Sequence, residues 1–231
     1  MDIGCGANLL CTRALLEKFP RMGCLVACDK VPIMTEEILK DEFLAEYVCK
    51  EILQFHLIDI VDCLDYRNVV NKIVCRNVLQ QITDKELAFG NMYDLLRPGG
   101  HAGILFCIVN PVDACQVLIN ASRNWSQYRI NPMPFFAKAN IEDVYYKFLL
   151  EDIGFRVVRS EKRDVQLQFL NDQSFLTEFL AYSTILLKIP EDRMTQFKEE
   201  SVSLFKRLIG YSGSGPLCYE ASELLLLAIK P

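Results

Sequence analysis

The sequence predicts an α/β fold: a mostly parallel central sheet with an antiparallel last strand and a helical insert. Three observations predict it. Apolar runs of strand length alternate with longer stretches of helical periodicity, as crossover-wound parallel sheets require. The chain opens on Asp2-Ile3-Gly4-Cys5-Gly6, a glycine-bearing turn from a strand into a helix. The last apolar run, ELLLLAIK at 223–230, neighbours its predecessor closely enough in sheet order to pair antiparallel with it.

Residues 8–19 follow the glycine turn with apolar positions at Leu9, Leu10, Ala14, Leu15 and Phe19, a helical pattern. Residues 23–29 form a short buried strand ended by Asp29, and a helix is expected from about 32 to 53. FHLIDI (55–60), NKIVC (71–75) and AGILFCIV (102–109) read as further strands. A helix around 84–96 precedes Arg97-Pro98-Gly99-Gly100, expected to be the turn that stops it. Beyond Asn110, helices are expected at 112–123 and 141–151, one or two strands at 154–169, and helices at 174–187 and 191–208. SGSG at 212–215 is then a flexible turn before the last strand. There is no repeat and no interdomain linker, so one domain spanning 1–231 is expected.

Composition narrows the functional classes. A chain of 231 residues that is 51% hydrophobic buries a full core and is not mainly disordered. Its net charge of −5 offers no general attraction to nucleic acid or anionic membrane. No apolar run reaches the roughly 18 residues that span a bilayer. The ten cysteines are scattered through apolar segments without a signal peptide, and read as buried free thiols of the reducing cytosol. Without a Cys-x-x-Cys pair, and with only His56 and His101 as imidazoles, no metal site is expected.

In Asp2-Ile3-Gly4-Cys5-Gly6 the glycines let the backbone turn sharply and approach a ligand, and Asp2 lies at the carboxyl end of its strand. The dinucleotide fingerprint wants a third glycine where Leu9 stands, which disfavours a nicotinamide oxidoreductase. Asp29, 23 residues after Gly6, stands near the offset at which a carboxylate binds ribose hydroxyls; capping a helix is the other reading. Asp59, expected at the end of a third strand, can accept an adenine amino hydrogen bond or cap a turn.

In order, DIGCG, VACDK, HLIDI, IVCRNVLQQITD and LLRPGG resemble the motif series of class I S-adenosylmethionine-dependent methyltransferases, over roughly the first half of the chain. The second half, with NP before a helix, NWSQY, IEDVYYKFLLEDIGFRVV and LLKIPEDRMTQF, is similar to arthropod juvenile hormone acid O-methyltransferases. The resemblance implies a Rossmann-like methyltransferase fold, with 1–110 as the cofactor-binding half and 111–231 as substrate-side helices and terminal strands. It implies that Gly4 and Gly6 line the amino-acid end of S-adenosylmethionine, that Asp29 binds its ribose and that Asp59 approaches its adenine. Asp2, Cys5, Lys30, Ile60 and Cys75 lie alongside. Arg76 to Gln81 would floor the acceptor site, with Arg76, Gln80, Gln81 and Trp125 as substrate contacts; Tyr128, Phe135 and Phe136 would help Trp125 wall a lipid-like acceptor or form core.

The chain departs from the family at three places. Asn8 replaces a loop glycine, and Gln81 stands where the family has a carboxylate-binding tryptophan. The helices that precede the glycine loop are absent, so an N-terminally truncated chain is expected. The implied acceptor is the carboxylate of a small isoprenoid or fatty acid; the rival is a non-catalytic binding module on the same sheet. His101 opens its strand and so is placed at the edge away from the glycine loop.

Overall fold

The computed structural model describes residues 1–32, 38, 40–62, 64–131 and 143–231. The strands are β1 (Asp2–Ile3), β2 (Leu25–Asp29), β3 (Leu53–Leu57), β4 (Val70–Arg76), β5 (Leu96–Val109), β6 (Arg156–Phe169) and β7 (Leu217–Ile229). The helices are α1 (Leu10–Lys18), α2 (Glu42–Cys49), α3 (Lys85–Leu95), α4 (Pro111–Ala121), α5 (Asp143–Ile153), α6 (Asp172–Leu186) and α7 (Met194–Leu208). The sheet order is β3-β2-β1-β4-β5-β7-β6. Strands β1 to β5 pair in parallel.

The last strand is antiparallel, as the sequence indicates. Gly99, near the start of β5, donates its N–H to the carbonyl of Lys230 just past the end of β7 (2.8 Å), and Lys230 returns a bond to Gly100 (3.0 Å). On the other side, Asp164 of β6 meets Ser222 of β7, Gln166 meets Glu220 and Gln168 meets Cys218. Each two-residue step forward on β6 is a two-residue step back on β7.

The chain divides into two compact units. The first comprises Met1–Phe106, Ile141–Glu161 and Leu224–Pro231. Within it Leu9, Leu16, Leu25, Ala27, Leu44 and Leu53 pack one apolar core. The two residues of β1 are fully engaged: Asp2 and Ile3 lie beside Ala27 and Cys28 on one side and beside Val74 and Cys75 on the other. Gly4 and Cys5 donate to the Cys28 carbonyl (2.8 and 3.1 Å), and Val74 donates to Met1 (2.9 Å).

The second unit comprises Cys107–Asn140 and Lys162–Glu223. Its core is aromatic: Phe175 stacks on Phe205 with centroids 4.3 Å apart, and Phe169, Phe179, Phe197 and Tyr219 surround them. Such ring pairs add ~0.5–1.5 kcal/mol each beyond the area they bury.

Four expectations need correction. The helix expected from 32 to 53 is not continuous: among the described residues Ile38 is helical, Lys40 and Asp41 form a turn, and the chain is helical again in α2. Asp41 starts it by accepting the Leu44 N–H (3.2 Å), and Glu51 at φ 57° ends it before β3. The third strand is Leu53–Leu57 rather than 55–60, so Asp59 lies in the following turn instead of at the strand end. Arg97 to Gly100 does not separate a helix from a strand. Val70 pairs with Leu96 and Lys72 with His101, so the four residues bulge out of a strand that has already begun. Finally, Cys24, Cys49 and Cys218 are exposed, not buried. No helix among the described residues is long and apolar enough to cross a membrane.

Candidate functional site

Parallel register sets what shares the carboxyl edge of the first unit's sheet. Ile3 is level with Cys28 on β2 and with Cys75 on β4, so the next residues, Gly4, Asp29 and Arg76, emerge side by side. Asp29 is in turn level with Leu57 of β3, and Ile58 donates to the Asp29 carbonyl (3.0 Å). Asp59 and Ile60 therefore follow at the same edge.

The glycine loop is held by a carboxylate. Asp29 Oδ2 accepts the Gly6 N–H and Oδ1 accepts the Val31 N–H, both at 3.0 Å. An ionised carboxylate has about four acceptor sites, so two bonds leave room for ligand hydroxyls. The loop itself needs left-handed backbone at Gly4 (φ 69°) and Gly6 (φ 64°), and at Leu9 (φ 49°), which is buried and precedes α1. Only glycine takes that geometry without cost; Leu9 bears ~1–2 kcal/mol of strain in exchange for its burial.

A Cβ at Gly4 would overlap Val78 Cγ2. The loop thus rests against the turn after β4, where Asn77 is itself left-handed (φ 56°). In that turn Asn77 Oδ1 and Gln80 Oε1 are buried without a hydrogen-bond partner. Buried acceptors cost about 1–3 kcal/mol when unpaired.

Asp59 Oδ1 accepts the Val61 N–H (3.2 Å), and Ile60 is buried. This turn is pinned from α3, where Asn91 Nδ2 donates to the carbonyls of Ile60 (2.7 Å) and Asp62 (2.9 Å).

Asp2, Cys5 and Cys75 turn inward. Asp2 is 1% exposed and accepts from Thr12 Oγ1 (2.6 Å), tying β1 to α1. Burial pushes its carboxyl above the usual range, against the Thr12 and Cys11 hydrogen bonds. Burial also raises the Cys5 thiol to about 12, with help from Asp2 and Asp29, and raises that of Cys75. Both remain protonated at neutral pH, so neither supplies a thiolate nucleophile.

Lys30, Arg76 and Gln81 are exposed, and Gln80 is half-buried. His101 belongs to the amino end of the sheet, its Nδ1 2.9 Å from Lys72 Nζ. Trp125 is in the second unit, 0% exposed, with Nε1 donating to Glu200 (2.7 Å) and its ring edge-on to Phe197 at 5.1 Å. Its indole serves that core. Phe135 and Phe136 lie outside the described residues.

Thr12, Val78 and Asn91 were not apparent as site supports. Asn77 carried one usable signal: asparagine directly after a strand tolerates the left-handed region.

Comparison with known proteins bears on the family and the fold. Residues 1–104 match the methyltransferase domain family. No curated protein matches the chain. Among solved structures, a Bacillus halodurans protein assigned as a methyltransferase is similar, with TM-score 0.61 and 16% identity over 100% of this chain and 91% of that one. The YcgJ protein of Bacillus subtilis has TM-score 0.61 and 15% identity over 99% and 90%. Phosphoethanolamine N-methyltransferase 2 of Haemonchus contortus, in complex with S-adenosyl-L-methionine, has TM-score 0.52 and 17% identity over 100% of this chain and 48% of that one. The fold is therefore the Rossmann-like methyltransferase fold, and the match over residues 1–104 supports an S-adenosylmethionine-dependent methyltransferase with S-adenosylmethionine as its cofactor.

Proposed function

We propose that this chain transfers the methyl group of S-adenosylmethionine to the carboxylate oxygen of a small apolar acid, of isoprenoid or fatty type. One observation carries the cofactor half: the Asp29 carboxylate grips the Gly6 N–H of a left-handed glycine loop whose neighbouring turn holds two unpaired buried acceptors. The residues fit the cofactor. Asp29 has acceptor capacity for ribose hydroxyls, and Asp59 for an adenine amino group. Asn77 Oδ1 and Gln80 Oε1 suit the N–H donors of an ammonium group. When bound, the cofactor supplies an electrophilic methyl on a sulfonium.

The chain's own residues then have a positioning task. A carboxylate is already anionic at neutral pH, so transfer to it needs no general base, and alignment is the main contribution. Arg76, exposed at the end of β4, can attract the acceptor's charge, and Gln80 and Gln81 can donate amide hydrogens to it. The protonated Cys5 and Cys75 do not compete as methyl acceptors. Free buried thiols at Cys5, Cys28, Cys75 and Cys115 favour the cytosol as its compartment.

Isothermal titration with S-adenosylmethionine tests the cofactor half, and absence of saturable binding sinks it. Labelled methyl transfer to a panel of fatty and terpenoid acids tests the acceptor half. A rival reading, a binding module without turnover, is favoured by the exposed Gln81 in place of a tryptophan. It predicts cofactor binding with no ester formed from any acid in the panel.

A further inference from the structure

The second unit contains a cleft of about 240 Å³ that the methyl-transfer reading does not use. Its wall is apolar: Ile130, Leu180, Leu187, Ile189, Met194 and Phe197. Two hydroxyls also line it, and both are committed elsewhere. Ser183 Oγ is engaged with the Phe179 carbonyl (2.7 Å) and with Gln116 Oε1 (2.9 Å), while Thr184 Oγ1 donates to the Ala181 carbonyl (3.3 Å). Lys188 is the one charged side chain among the described lining residues, and it is exposed.

From this geometry we infer that the cleft binds an anionic amphiphile, a medium-chain carboxylate whose head pairs with Lys188 and whose tail lies along the apolar wall. Size and charge select the ligand. At roughly 30 Å³ per water-sized group the cleft has room for about eight such groups, the length of an octanoyl chain. A lysine at an otherwise apolar cleft complements an anion and repels a cation. The choice of a carboxylate over other anions rests on the acceptor class proposed above; the cleft itself needs no cofactor.

The chain's single tryptophan is a built-in reporter, because Trp125 packs edge-on against Phe197 of the cleft wall. The test titrates the full chain, without S-adenosylmethionine, with sodium octanoate and separately with 1-octanol, following Trp125 emission and heat. Expected is saturable octanoate binding in the millimolar range, the level such a small ligand reaches. Octanol should bind about ten-fold more weakly. Lys188→Gln, an exposed substitution that leaves the core intact, should weaken octanoate about ten-fold and leave octanol unchanged. No saturable response to octanoate overturns the inference. So does equal binding of octanoate and octanol, or octanoate binding indifferent to Lys188→Gln. Any of these results leaves the cofactor titration untouched, so failure here is distinguishable from failure of the methyltransferase reading.

Discussion

Gly4 and Gly6 share one backbone demand but not one environment, and that difference can be measured. A Cβ on Gly6 meets only Asn8 Oδ1, at 3.8 Å, an ordinary contact. Gly6→Ala should therefore cost the left-handed penalty alone, ~1–2 kcal/mol. A Cβ on Gly4 overlaps Val78 Cγ2 and sits 3.1 Å from Cγ1, which adds ~1–3 kcal/mol of overpacking to the same backbone penalty. Gly4→Ala should cost ~2–5 kcal/mol in total. Val78→Ala removes both γ carbons and leaves only Val78 Cβ, at 3.2 Å, so it should relieve the overlap but not the backbone strain. A double-mutant cycle should give a favourable Gly4–Val78 coupling of ~1–3 kcal/mol and almost none between Gly6 and Val78. Urea unfolding followed by far-ultraviolet circular dichroism is the assay. Equal losses at the two glycines, or no coupling with Val78, would refute the packing of the loop against the turn after β4.

Asp29→Ala removes the acceptor of the Gly6 and Val31 N–H groups and should weaken S-adenosylmethionine binding ~10- to 100-fold by calorimetry, with Asp29→Asn intermediate. Retained affinity in Asp29→Ala would place the cofactor elsewhere. Asn91→Leu deletes both bonds to the 60–62 turn and should lower stability by ~1–3 kcal/mol. Amide exchange at Ile60 and Asp62 should accelerate in it while β2 stays protected, and uniform acceleration would count against a local pin. In the second unit Asp113 is raised to about 7, by burial first and by Glu178 second. Its folded pKa exceeds the ~3.9 of an unfolded aspartate, so its contribution is complete below pH ~4 and is lost as pH rises toward 7. Thermal unfolding between those limits should show wild type losing stability relative to Asp113→Asn as pH increases. The opposite trend in that difference would contradict a half-buried, proton-retaining Asp113.

What the sequence reveals divides along a physical line. Element type and order are legible because they depend on periodicity within a window: the apolar runs that became β2, β4, β5 and β7 need no distant partner to be recognised. The convergence of Gly4, Asp29 and Arg76 on one edge is also legible, because parallel crossover winding puts successive strand ends together whatever the register. Contacts that depend on the register itself are not. Gly4 meets Val78 only because Ile3 lies level with Cys75, and no local pattern in RNVLQQ announces that its valine must accommodate a glycine. Asp2 and Thr12 illustrate the same limit at shorter range. An acidic strand end reads as ligand-facing, but which way a two-residue strand turns its side chains is decided by the pleat, and here the pleat sends Asp2 into the α1 interface. At Arg97 to Gly100 the local signal for a break is sound, yet β4 and β5 pair on both sides of it, so tertiary pairing turns a terminator into a bulge. Local residue choices thus specify where the chain must bend, and long-range pairing determines what each bend accomplishes. The supports of a site such as this one, Val78, Thr12 and Asn91, are therefore its least legible part, although the loop geometry depends on them as much as on the glycines they hold in place.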